Sequence, residues 1–450
     1  MTAHIASFAD SPTVTAAPAP SIGRSMVPLL IIAIAICSGF TMMLSFGIAA
    51  ETAKRELGLS DTALGIIQGV SAAVPLVLFS IPIGILVDRT NRMRLMVLFS
   101  LIWTIGTFWT AFATDSWTLF AARMLTGIGT TGALTAALSL SADLCLPEQR
   151  GRAMLIPTLG KSFGQAAGFA LAGWLIGVFA AANAPQWFGE MVPWRSAHIM
   201  LGVISAALTL PLLFVREPAR HEVEAGPEAP LRVVAAELWS RRAFLIPLFV
   251  GQVTVVMADA AGGIWAAPVL ERNYGLKPED FAGLLGGVML FTGIFGSILG
   301  GIVADWGQKT GRQGGLLIGA IIAALVGVPA ALYPLMPDSM TYLAMLGLLV
   351  LAGTVTGLVT SVALTVYLPN ELRGLSIGAF IAIAGLIGFG VTPPLVAAVS
   401  EPLGGEKFLG TALAIVGAAV SVISVLGFAL AMKRAPVTPT CQTGLDIAVR

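Results

Sequence analysis

The chain has 450 residues; 56% of them are hydrophobic, 11% are charged, and the mean hydropathy is +0.89. Because a soluble domain carries about 25% charged residues, this composition excludes an ordinary water-soluble enzyme and an intrinsically disordered chain. The formal net charge of +1 excludes a strongly basic nucleic-acid binder. Three cysteines, Cys37, Cys145 and Cys441, lie too far apart in sequence to indicate a secreted disulfide scaffold.

Apolar runs long enough to cross a bilayer, which takes roughly 20 residues, occur in two sets of six. They lie near 27–50, 62–87, 94–113, 118–142, 153–181 and 196–215, and then near 243–270, 281–304, 314–334, 341–368, 372–399 and 407–432. The pattern predicts an all-α membrane protein with 12 transmembrane helices in two pseudo-symmetric six-helix bundles. We expect bundles at 26–215 and 243–432, tails at 1–25 and 433–450, and a linker at 216–242.

The polar segments predict the orientation. Residues 1–25 lack the apolar core of a signal peptide and are expected to form a disordered cytoplasmic tail. In the linker, residues 231–238 predict a short amphipathic surface helix. Of the 25 Lys and Arg, 17 fall on the side of the N-terminus and two, Arg123 and Lys161, inside predicted spans. The other six are assigned to loops on the opposite side: Lys54, Arg55, Arg195, Arg272, Lys277 and Lys407. The positive-inside rule therefore predicts that both termini are cytoplasmic, and an even number of spans requires that they share a side.

Two motifs recur in the same order in both halves. The sequence GILVDRTNRMR at 84–94 has a degraded counterpart, GIVADWGQKTGR, at 301–312, and Asp88 and Asp305 are 217 positions apart. The sequence LPEQRG at 146–151 has the counterpart LPNELRG at 368–374, with Arg150 and Arg373 separated by 223 positions. Repetition at a nearly constant offset is typical of the parallel repeats of two-bundle secondary transporters.

The first motif is interpreted as a conformational latch. Gly84 lets two helix ends approach closely, and Asp88 at a helix end can accept hydrogen bonds from a neighbouring helix N-terminus and from Arg. Such a cluster would hold the bundles together in one state and break in the other; simple positive-inside anchoring is the alternative. The predicted latch residues are Gly84, Asp88, Arg89, Arg92, Arg150, Gly301, Asp305, Arg312 and Arg373.

Over nearly all of residues 27–432 the chain resembles the major facilitator superfamily of transporters. The motif at 84–94 is similar to the superfamily signature between helices 2 and 3, and RMLTGIG at 123–129 resembles its second motif. The sequence ELGLSDTALGIIQ at 56–68 is most similar to the spinster-like and anion/cation-symporter branches. The resemblance implies transport by alternating access, around a central cavity lined by helices 1, 4, 7 and 10.

The chain departs from those branches where they usually carry protonatable groups. Helix 1 reads SGFTMM at 38–43, where an Asp-Arg pair is usual, and helix 4 has Thr130 and Thr131 where a Glu is usual. Helix 5 spaces Gly160, Gly164 and Gly168 closely but lacks the Gly-Pro step of drug antiporters. These departures weaken a direct transfer of the family's proton coupling and a multidrug-efflux assignment.

Three ionisable side chains stand out inside the predicted spans: Arg123 in helix 4, Lys161 in helix 5 and Asp259 in helix 7. Because a charge in mid-membrane costs at least about 2.5–3.5 kcal/mol on insertion scales, it normally faces a cavity or a partner. We hypothesise that Arg123 and Asp259 pair across the bundles; the alternative is that backbone carbonyls, water or hydroxyls satisfy each separately. Lys161 either contacts an anion or extends its long side chain to the interface.

Polar and aromatic side chains complete the predicted site. Gln165 is one turn from Lys161 on the same helical face, and Gln252 is two turns from Asp259, although any such amide can instead serve as a helix–helix hydrogen bond. A buried carboxylate can take up a proton near neutral pH, so Asp259 is the predicted coupling group. The predicted substrate-binding or coupling residues are Arg123, Lys161, Asp259, Gln68, Gln165, Gln252 and Trp265.

Enzyme signatures are missing from the sequence. GKS at 160–162 resembles the end of a phosphate-binding loop, but the Gly required five residues earlier is replaced by Leu155. The three histidines, His4, His198 and His221, show no spacing suited to a metal site. We expect no catalytic activity, no cofactor and no metal.

The residues and the resemblance together predict a secondary transporter of the cell inner membrane that moves a small organic solute by alternating access. Two buried cations favour an organic anion as substrate, and a proton gradient is one candidate energy source. The alternatives are efflux or flipping of an amphiphile or lysolipid and, outside this class, a non-transporting membrane sensor. The expected partners are a small-molecule substrate, a proton and the lipid bilayer, with no nucleic acid and a monomeric state.

Overall fold

The computed structural model describes residues 21–146, 149–182, 184, 187–218, 238–368 and 370–436, with only the backbone at 151 and 370–375. Every regular element in these segments is a helix or a helical turn. Most of both predicted tails and most of the predicted linker, including its amphipathic helix up to residue 237, fall outside the described residues.

Twelve long helices, α1–α12, form the two bundles. The first bundle contains α1 Met26–Leu57, α2 Asp61–Arg89, α3 Arg92–Ala111, α4 Ser116–Asp143, α5 Arg150–Ala180 and α6 Pro193–Phe214. The second contains α7 Arg242–Tyr274, α8 Pro278–Lys309, α9 Gly315–Leu335, α10 Ser339–Tyr367, α11 in three consecutive pieces (Asn370–Ala384, Gly385–Val391 and Thr392–Leu403) and α12 Leu409–Arg434. A π-helical turn interrupts α2 at Pro75–Phe79 and α11 at Gly385–Val391.

Eleven of the described helices are long and apolar enough to cross a membrane. The remaining one, α4, has 28 residues and the length to do so, but it contains five Thr, three Ser and three Gly as well as Arg123, which lower its hydropathy. Some of its hydroxyls are satisfied by the helix itself: Thr126 donates to the Ala122 carbonyl and Thr130 to the Thr126 carbonyl. Thr130 also donates to the Gly39 carbonyl of α1 at 3.4 Å. The predicted all-α fold of 12 transmembrane helices is confirmed.

The two halves repeat in their helix caps as well as in their motifs. Gly58 after α1 and Gly275 after α7, 217 positions apart, both adopt the left-handed conformation with φ of 63° and 65°, which glycine adopts without steric cost. Asp115 and Asp338, 223 positions apart, cap α4 and α10 through their side chains. The backbone N–H groups of Thr118 and Thr341 hold the pKa of these two exposed carboxyls below its usual value.

One ion pair shows which helix ends lie at the same end of the molecule. Lys54, near the C-terminal end of α1, pairs with Glu406 in the turn before α12, at 2.5 Å between Nζ and Oε1. The start of α1 and the end of α12 therefore share the opposite end. We call the end with Lys54 and Glu406 the far end, and the end with the start of α1 and the end of α12 the terminal end.

Exposed tryptophans lie near both ends of the bundles. Trp109, Trp117 and Trp187 are exposed at the far end, and Trp239 and Trp306 at the terminal end. Trp is enriched at both membrane–water interfaces, where its ring sits at headgroup level. These positions are those expected for two interfacial belts around a membrane-embedded bundle.

Small residues let α5 pack directly on the backbone of α1. A Cβ at Gly160 or Gly164 would collide with the carbonyl oxygen of Ala33 or Cys37, and a Cβ at Gly168 would stand 2.8 Å from the Leu44 Cβ. Van der Waals packing between close backbones is one of the forces that drive helix association in membranes.

Replacing Gly164 by Ala is therefore expected to lower the midpoint of thermal unfolding in detergent, because overpacking costs about 1–3 kcal/mol. The matched control is Gly283→Ala in α8, where nothing lies within 4 Å of the added Cβ. Ala is the better helix former by about 0.8–1.0 kcal/mol, so the control should not be destabilised. Equal midpoints for the two variants would contradict this packing role.

Candidate functional site

The two bundles are joined at the far end by a cluster of buried charges. The far-end ion cluster consists of Glu51, Lys54 and Asp61 from the first bundle and Arg272 and Glu406 from the second. All of these side chains except Glu406 are more than 90% buried. The cluster therefore links charges that the sequence separates by more than 200 residues.

Arg272 is the centre of the far-end ion cluster. Its Nη1 and Nη2 donate to the two carboxylate oxygens of Asp61 at 2.8 and 2.7 Å, and its Nε and Nη2 donate to Glu51 Oε2 at 2.9 and 2.6 Å. Two-point contact between Arg and a carboxylate is a strong and geometrically specific interaction. Arg272 thus fastens the end of α7 to the ends of α1 and α2.

Lys54 makes a second link across the same interface. Its Nζ lies 2.7 Å from Asp61 Oδ1 and 2.5 Å from Glu406 Oε1. Nearby, Thr62 donates to Glu401 at 3.2 Å. The carboxylate of Asp61 is consequently shared by a cation from each bundle.

The sequence interpretation missed this cluster, because it treated Lys54 and Arg272 only as loop charges on the side opposite the termini. In the structure, helices α1 and α7 have 32 and 33 residues, well beyond the roughly 20 needed to span, so both cations lie on helices. The sequence carries one signal of this. Each of the two helices carries adjacent charges in its last turn at equivalent repeat positions, Lys54-Arg55 and Glu271-Arg272, 217 residues apart.

Helix packing also closes the far half of the interface. In α5, a Cβ at Gly173 would collide with Ala282 of α8, and a Cβ at Gly177 would stand 2.9 Å from the Glu279 Cβ. Between α2 and α11, a Cβ at Gly65 would stand 3.0 Å from the backbone of Pro393.

Toward the terminal end the corresponding positions are open. No described residue lies within 4 Å of a Cβ built at Gly84 of α2, and among the described residues a Cβ at Gly301 of α8 would meet only Leu358 of its own bundle. The closest approaches between the bundles therefore lie toward the far end.

Lys161 lies on the face of α5 that looks into the space between the bundles. Gly160 and Gly164 face α1, whereas Ala166, whose carbonyl would stand 2.5 Å from a Cβ at Gly286, faces α8. At 3.6 residues per turn, Lys161 and Gln165 fall between these two faces. Lys161 is about 16 Å along α5 from its first residue, at 1.5 Å per residue.

The ammonium of Lys161 has no counter-charge in the part of the chain that the structure describes. Its Nζ lies 5.4 Å from the centre of the Phe40 ring of α1. No described residue forms a salt bridge or hydrogen bond with it, and Gln165, one turn away, likewise has no hydrogen-bond partner there. Both side chains are partly exposed. The pair offers one positive charge and one amide beside an aromatic ring.

Asp259 lies against α10 inside the second bundle. A Cβ at Gly353 would stand 2.7 Å from Asp259 Oδ1, so only glycine leaves room for the carboxylate. Among the described residues, neither Asp259 Oδ1 nor the buried hydroxyl of Tyr333 has a hydrogen-bond partner. That hydroxyl would stand 3.4 Å from a Cβ at Gly262, one turn from Asp259. Asp259 Oδ1 and the Tyr333 hydroxyl are therefore two buried polar atoms that the described residues leave unsatisfied.

Arg123 is held by the first bundle and does not pair with Asp259. Its Nη1 donates to the Met42 carbonyl at 3.1 Å, its Nη2 donates to the Met43 carbonyl, and its guanidinium lies 5.2 Å from the Phe46 ring centre. The hypothesised ion pair is not formed in this conformation, because α4 packs on α1 and the nearest acceptors are backbone oxygens. This is the arrangement that the alternative hypothesis describes for Arg123.

The other predicted site residues serve mainly in helix packing. Trp265 is fully buried and its indole N–H donates to the Pro393 carbonyl at 3.2 Å, so its ring is not available to a cavity. Gln252 is buried and accepts a hydrogen bond from Thr360 at 3.0 Å. Gln68 lies against Gly47, and its Nε2 is buried without a partner among the described residues.

The predicted latch residues lie at the terminal end, where the described residues of the two bundles make no close contact at Gly84 or Gly301. Four of them occupy exposed positions: Asp88, Arg89, Asp305 and Arg312. Arg150 begins α5, and the side chain of Arg373 falls outside the described residues.

Arg92 differs from the other predicted latch residues. It is 3% exposed and pairs with Asp143 at 2.5 Å and Glu217 at 2.9 Å. Asp143 belongs to the first bundle and Glu217 lies three residues after its last helix, so Arg92 braces that bundle instead of linking the two.

Comparison with known proteins agrees with this architecture. The sequence profile of the Major Facilitator Superfamily matches residues 30–393. The probable sulfoacetate transporter of Cupriavidus necator is 25% identical over 73% of this chain and 76% of its own length, and the gentisate transporter of Corynebacterium glutamicum is 25% identical over 80% and 78%. Protein spinster homolog 1 of Xenopus laevis is also 25% identical, over 60% of this chain and about half (52%) of its own length.

Solved structures share the fold. A bacterial homolog to the human lysosomal transporter Spinster, in an inward-facing and unoccupied conformation, superimposes with a TM-score of 0.76 at 20% identity, covering 92% of this chain and 98% of the other. A D-xylose-proton symporter superimposes with a TM-score of 0.62 at 16% identity, covering 90% and 97%. With a profile match over most of its length and this helical fold, the chain belongs to the Major Facilitator Superfamily and is a multi-pass membrane transporter, not an enzyme.

Proposed function

We propose that this transporter moves a small organic anion by alternating access. The observation that carries the proposal is Lys161, a cation about a third of the way along α5 that faces the space between the bundles and has no acidic partner among the described residues. An uncompensated cation inside a membrane is costly, and an anionic substrate would neutralise it. Phe40 and Gln165 would supply an apolar surface and a hydrogen-bond donor for the rest of the solute.

The relatives support this substrate class. The names of two of them specify sulfoacetate and gentisate, and both of these are small organic acids. A carboxylate or sulfonate attached to a short carbon skeleton would match one ammonium, one amide and one aromatic ring. A large apolar cargo would leave the Lys161 charge without compensation.

The conformation supports a two-state cycle. The far end is closed by the far-end ion cluster and the terminal end is open at Gly84 and Gly301. If the excess of Lys and Arg places the terminal end in the cytoplasm, this state faces inward. In the outward-facing state the far-end ion cluster would separate, and the segments 84–94 and 301–312 would close the terminal end as a latch.

The proposal is tested by counterflow in proteoliposomes. Vesicles preloaded with an unlabelled organic acid should take up the same labelled acid faster than empty vesicles do. The reason is that a carrier can return to the outside with unlabelled acid bound, which is faster than returning empty. A panel of carboxylates and sulfonates with short aliphatic or aromatic skeletons would identify the substrate. Neutral analogues with the acid replaced by an amide should not exchange, and exchange of the amides would contradict an anion site.

Asp259 is proposed as the site that binds a coupling proton. Its Oδ1 is buried and unpaired, and a proton would remove a charge that no described residue compensates. In Asp259→Asn, accumulation driven by a pH gradient is expected to fall to the level of protein-free vesicles, while counterflow at equal pH persists. The control is Glu190→Gln in an exposed far-end loop. Undiminished gradient-driven accumulation in Asp259→Asn would exclude this role.

A second candidate is transport of an amphiphile such as a lysolipid. It is favoured by the similarity to spinster homologues, in sequence and in fold. The counterflow panel should therefore include a lysophospholipid. Under the organic-anion proposal the lysophospholipid does not exchange, whereas exchange of it alone would favour the second candidate.

A further inference from the structure

A pocket lies between α7 and α12 at the terminal end, away from the space between the bundles. Its volume is about 450 Å³, and it is lined by Arg242 and Ile246 of α7 and by Leu430 and Arg434 of α12, together with Pro247. Gly251 and Gly427 bring the two helices into backbone contact below it, with a Cβ at Gly427 standing 2.6 Å from the Gly251 nitrogen. The pocket therefore lies at the terminal end of a tightly packed interface between α7 and α12.

The pocket carries two positive charges, those of Arg242 and Arg434. Neither Arg242 nor Arg434 has an acidic partner within the described segments. Arg242 donates to the Trp239 carbonyl at 3.0 Å, and its guanidinium lies 5.4 Å from the centre of the exposed Trp239 ring. Trp at this depth marks the membrane–water interface, so the two guanidiniums lie at the level of lipid headgroups.

An exposed apolar groove continues from the pocket toward the middle of the membrane. On α7 it is formed by Ile246 and Val250, and on α12 by Leu430 and Leu426, all of which are exposed in the protein. At 1.5 Å per residue these side chains lie about 6 and 12 Å below Arg242 and Arg434. Charge at the top and aliphatic surface below match a molecule with an anionic head and hydrocarbon chains.

We propose that this pocket binds the phosphate headgroup of an anionic phospholipid, with the acyl chains in the groove along α7 and α12. Two guanidiniums can each donate paired hydrogen bonds to phosphate oxygens, and basic pockets between helices are suited to anionic headgroups. Other terminal-end cations, such as Arg89 and Arg312, lie at exposed helix and loop ends. The lipid would bridge the ends of α7 and α12 and stabilise the interface between these two helices.

The test compares lipids that differ only in charge. Delipidated full-length protein in detergent is titrated with phosphatidylglycerol or with phosphatidylcholine of the same chains, and the midpoint of thermal unfolding is measured, because a ligand stabilises the state that it binds. Phosphatidylglycerol should raise the midpoint and phosphatidylcholine should not. An equal rise with both lipids would overturn the proposal. Inorganic phosphate and glycerol 3-phosphate form the third arm; a full effect from either would indicate a soluble phosphate in place of a lipid.

Variants locate the site. In Arg242→Gln and Arg434→Gln the apparent affinity for phosphatidylglycerol should fall about tenfold each, the effect of losing one charge-assisted contact. Lys433→Gln, next to Arg434 and outside the pocket lining, is the matched control and should keep the parent affinity. Arg434→Lys should retain part of the effect. Unchanged affinity in both Gln variants would refute the assignment even where their unfolding midpoints differ from that of the parent.

Discussion

Replacing Lys161 by Gln is expected to weaken binding of the organic anion by a factor of about 10 or more, because a hydrogen bond to a charged group contributes about 1.5–3 kcal/mol. Folding should not suffer. Lys161 has no acidic partner among the described residues, so its removal leaves no buried carboxylate unpaired. The measurement is the concentration dependence of counterflow for the best acid of the panel, together with the midpoint of thermal unfolding.

The control for this variant is Lys433→Gln, which removes one positive charge at the exposed end of α12. It should leave the concentration dependence unchanged. Lys161→Arg retains the charge and should restore part of the affinity, limited by the different shape of the guanidinium. Parent-like affinity in Lys161→Gln would remove Lys161 from the binding site and with it the main support for an anionic substrate.

Arg272→Gln is expected to open the far end. Removing one partner of a buried, hydrogen-bonded charge pair costs about 2–5 kcal/mol, which shifts the equilibrium between closed and open states by a factor of about 30 or more. Glu51 and Asp61 would lose their shared cation and repel each other. Spin labels at Trp117→Cys and Met340→Cys, both exposed at the far end, in a variant lacking the three native cysteines, should report longer distances by pulsed electron paramagnetic resonance.

Arg55 provides a matched control because it occupies the equivalent repeat position, 217 residues before Arg272. Its side chain is 64% exposed and lies 3.3 Å from Glu51 within α1, so this pair should contribute only about 0–1 kcal/mol. The distance distribution of Arg55→Gln should therefore match that of the parent. If Arg272→Gln also matched the parent, the far-end ion cluster would not control closure.

The comparison of α4 with the far-end ion cluster shows where sequence reasoning succeeds and where it stops. The run at 118–142 was placed correctly although α4 is the least clearly apolar helix, because its neighbours and the six-plus-six pattern required a span there. Lys54 and Arg272 were assigned to loops, because apolar runs end where the hydrocarbon ends and carry no information on how far the helix continues. Only the helix lengths of α1 and α7 show that both cations are fixed on rigid elements.

The site residues divide in the same way. Buried ionisable groups could be recognised from the sequence, since Arg123, Lys161 and Asp259 are conspicuous among apolar neighbours. The partners of these groups could not be recognised from the sequence. Arg123 reaches the carbonyls of Met42 and Met43, and Trp265 donates to the Pro393 carbonyl, which are backbone atoms that every residue possesses. A sequence pattern does not distinguish one carbonyl from another.

The sequence by itself determined the membrane class, the count of helices, the duplication and the superfamily, because the bilayer imposes a length and an apolarity on every span and the repeats preserve their offsets of 217 and 223. The tertiary structure decided which charges meet, which of them face the space between the bundles, and which end of the molecule is closed. Asp61 and Arg272 are 211 positions apart. Their contact depends on how two bundles are oriented, and helix packing across an interface sets that orientation.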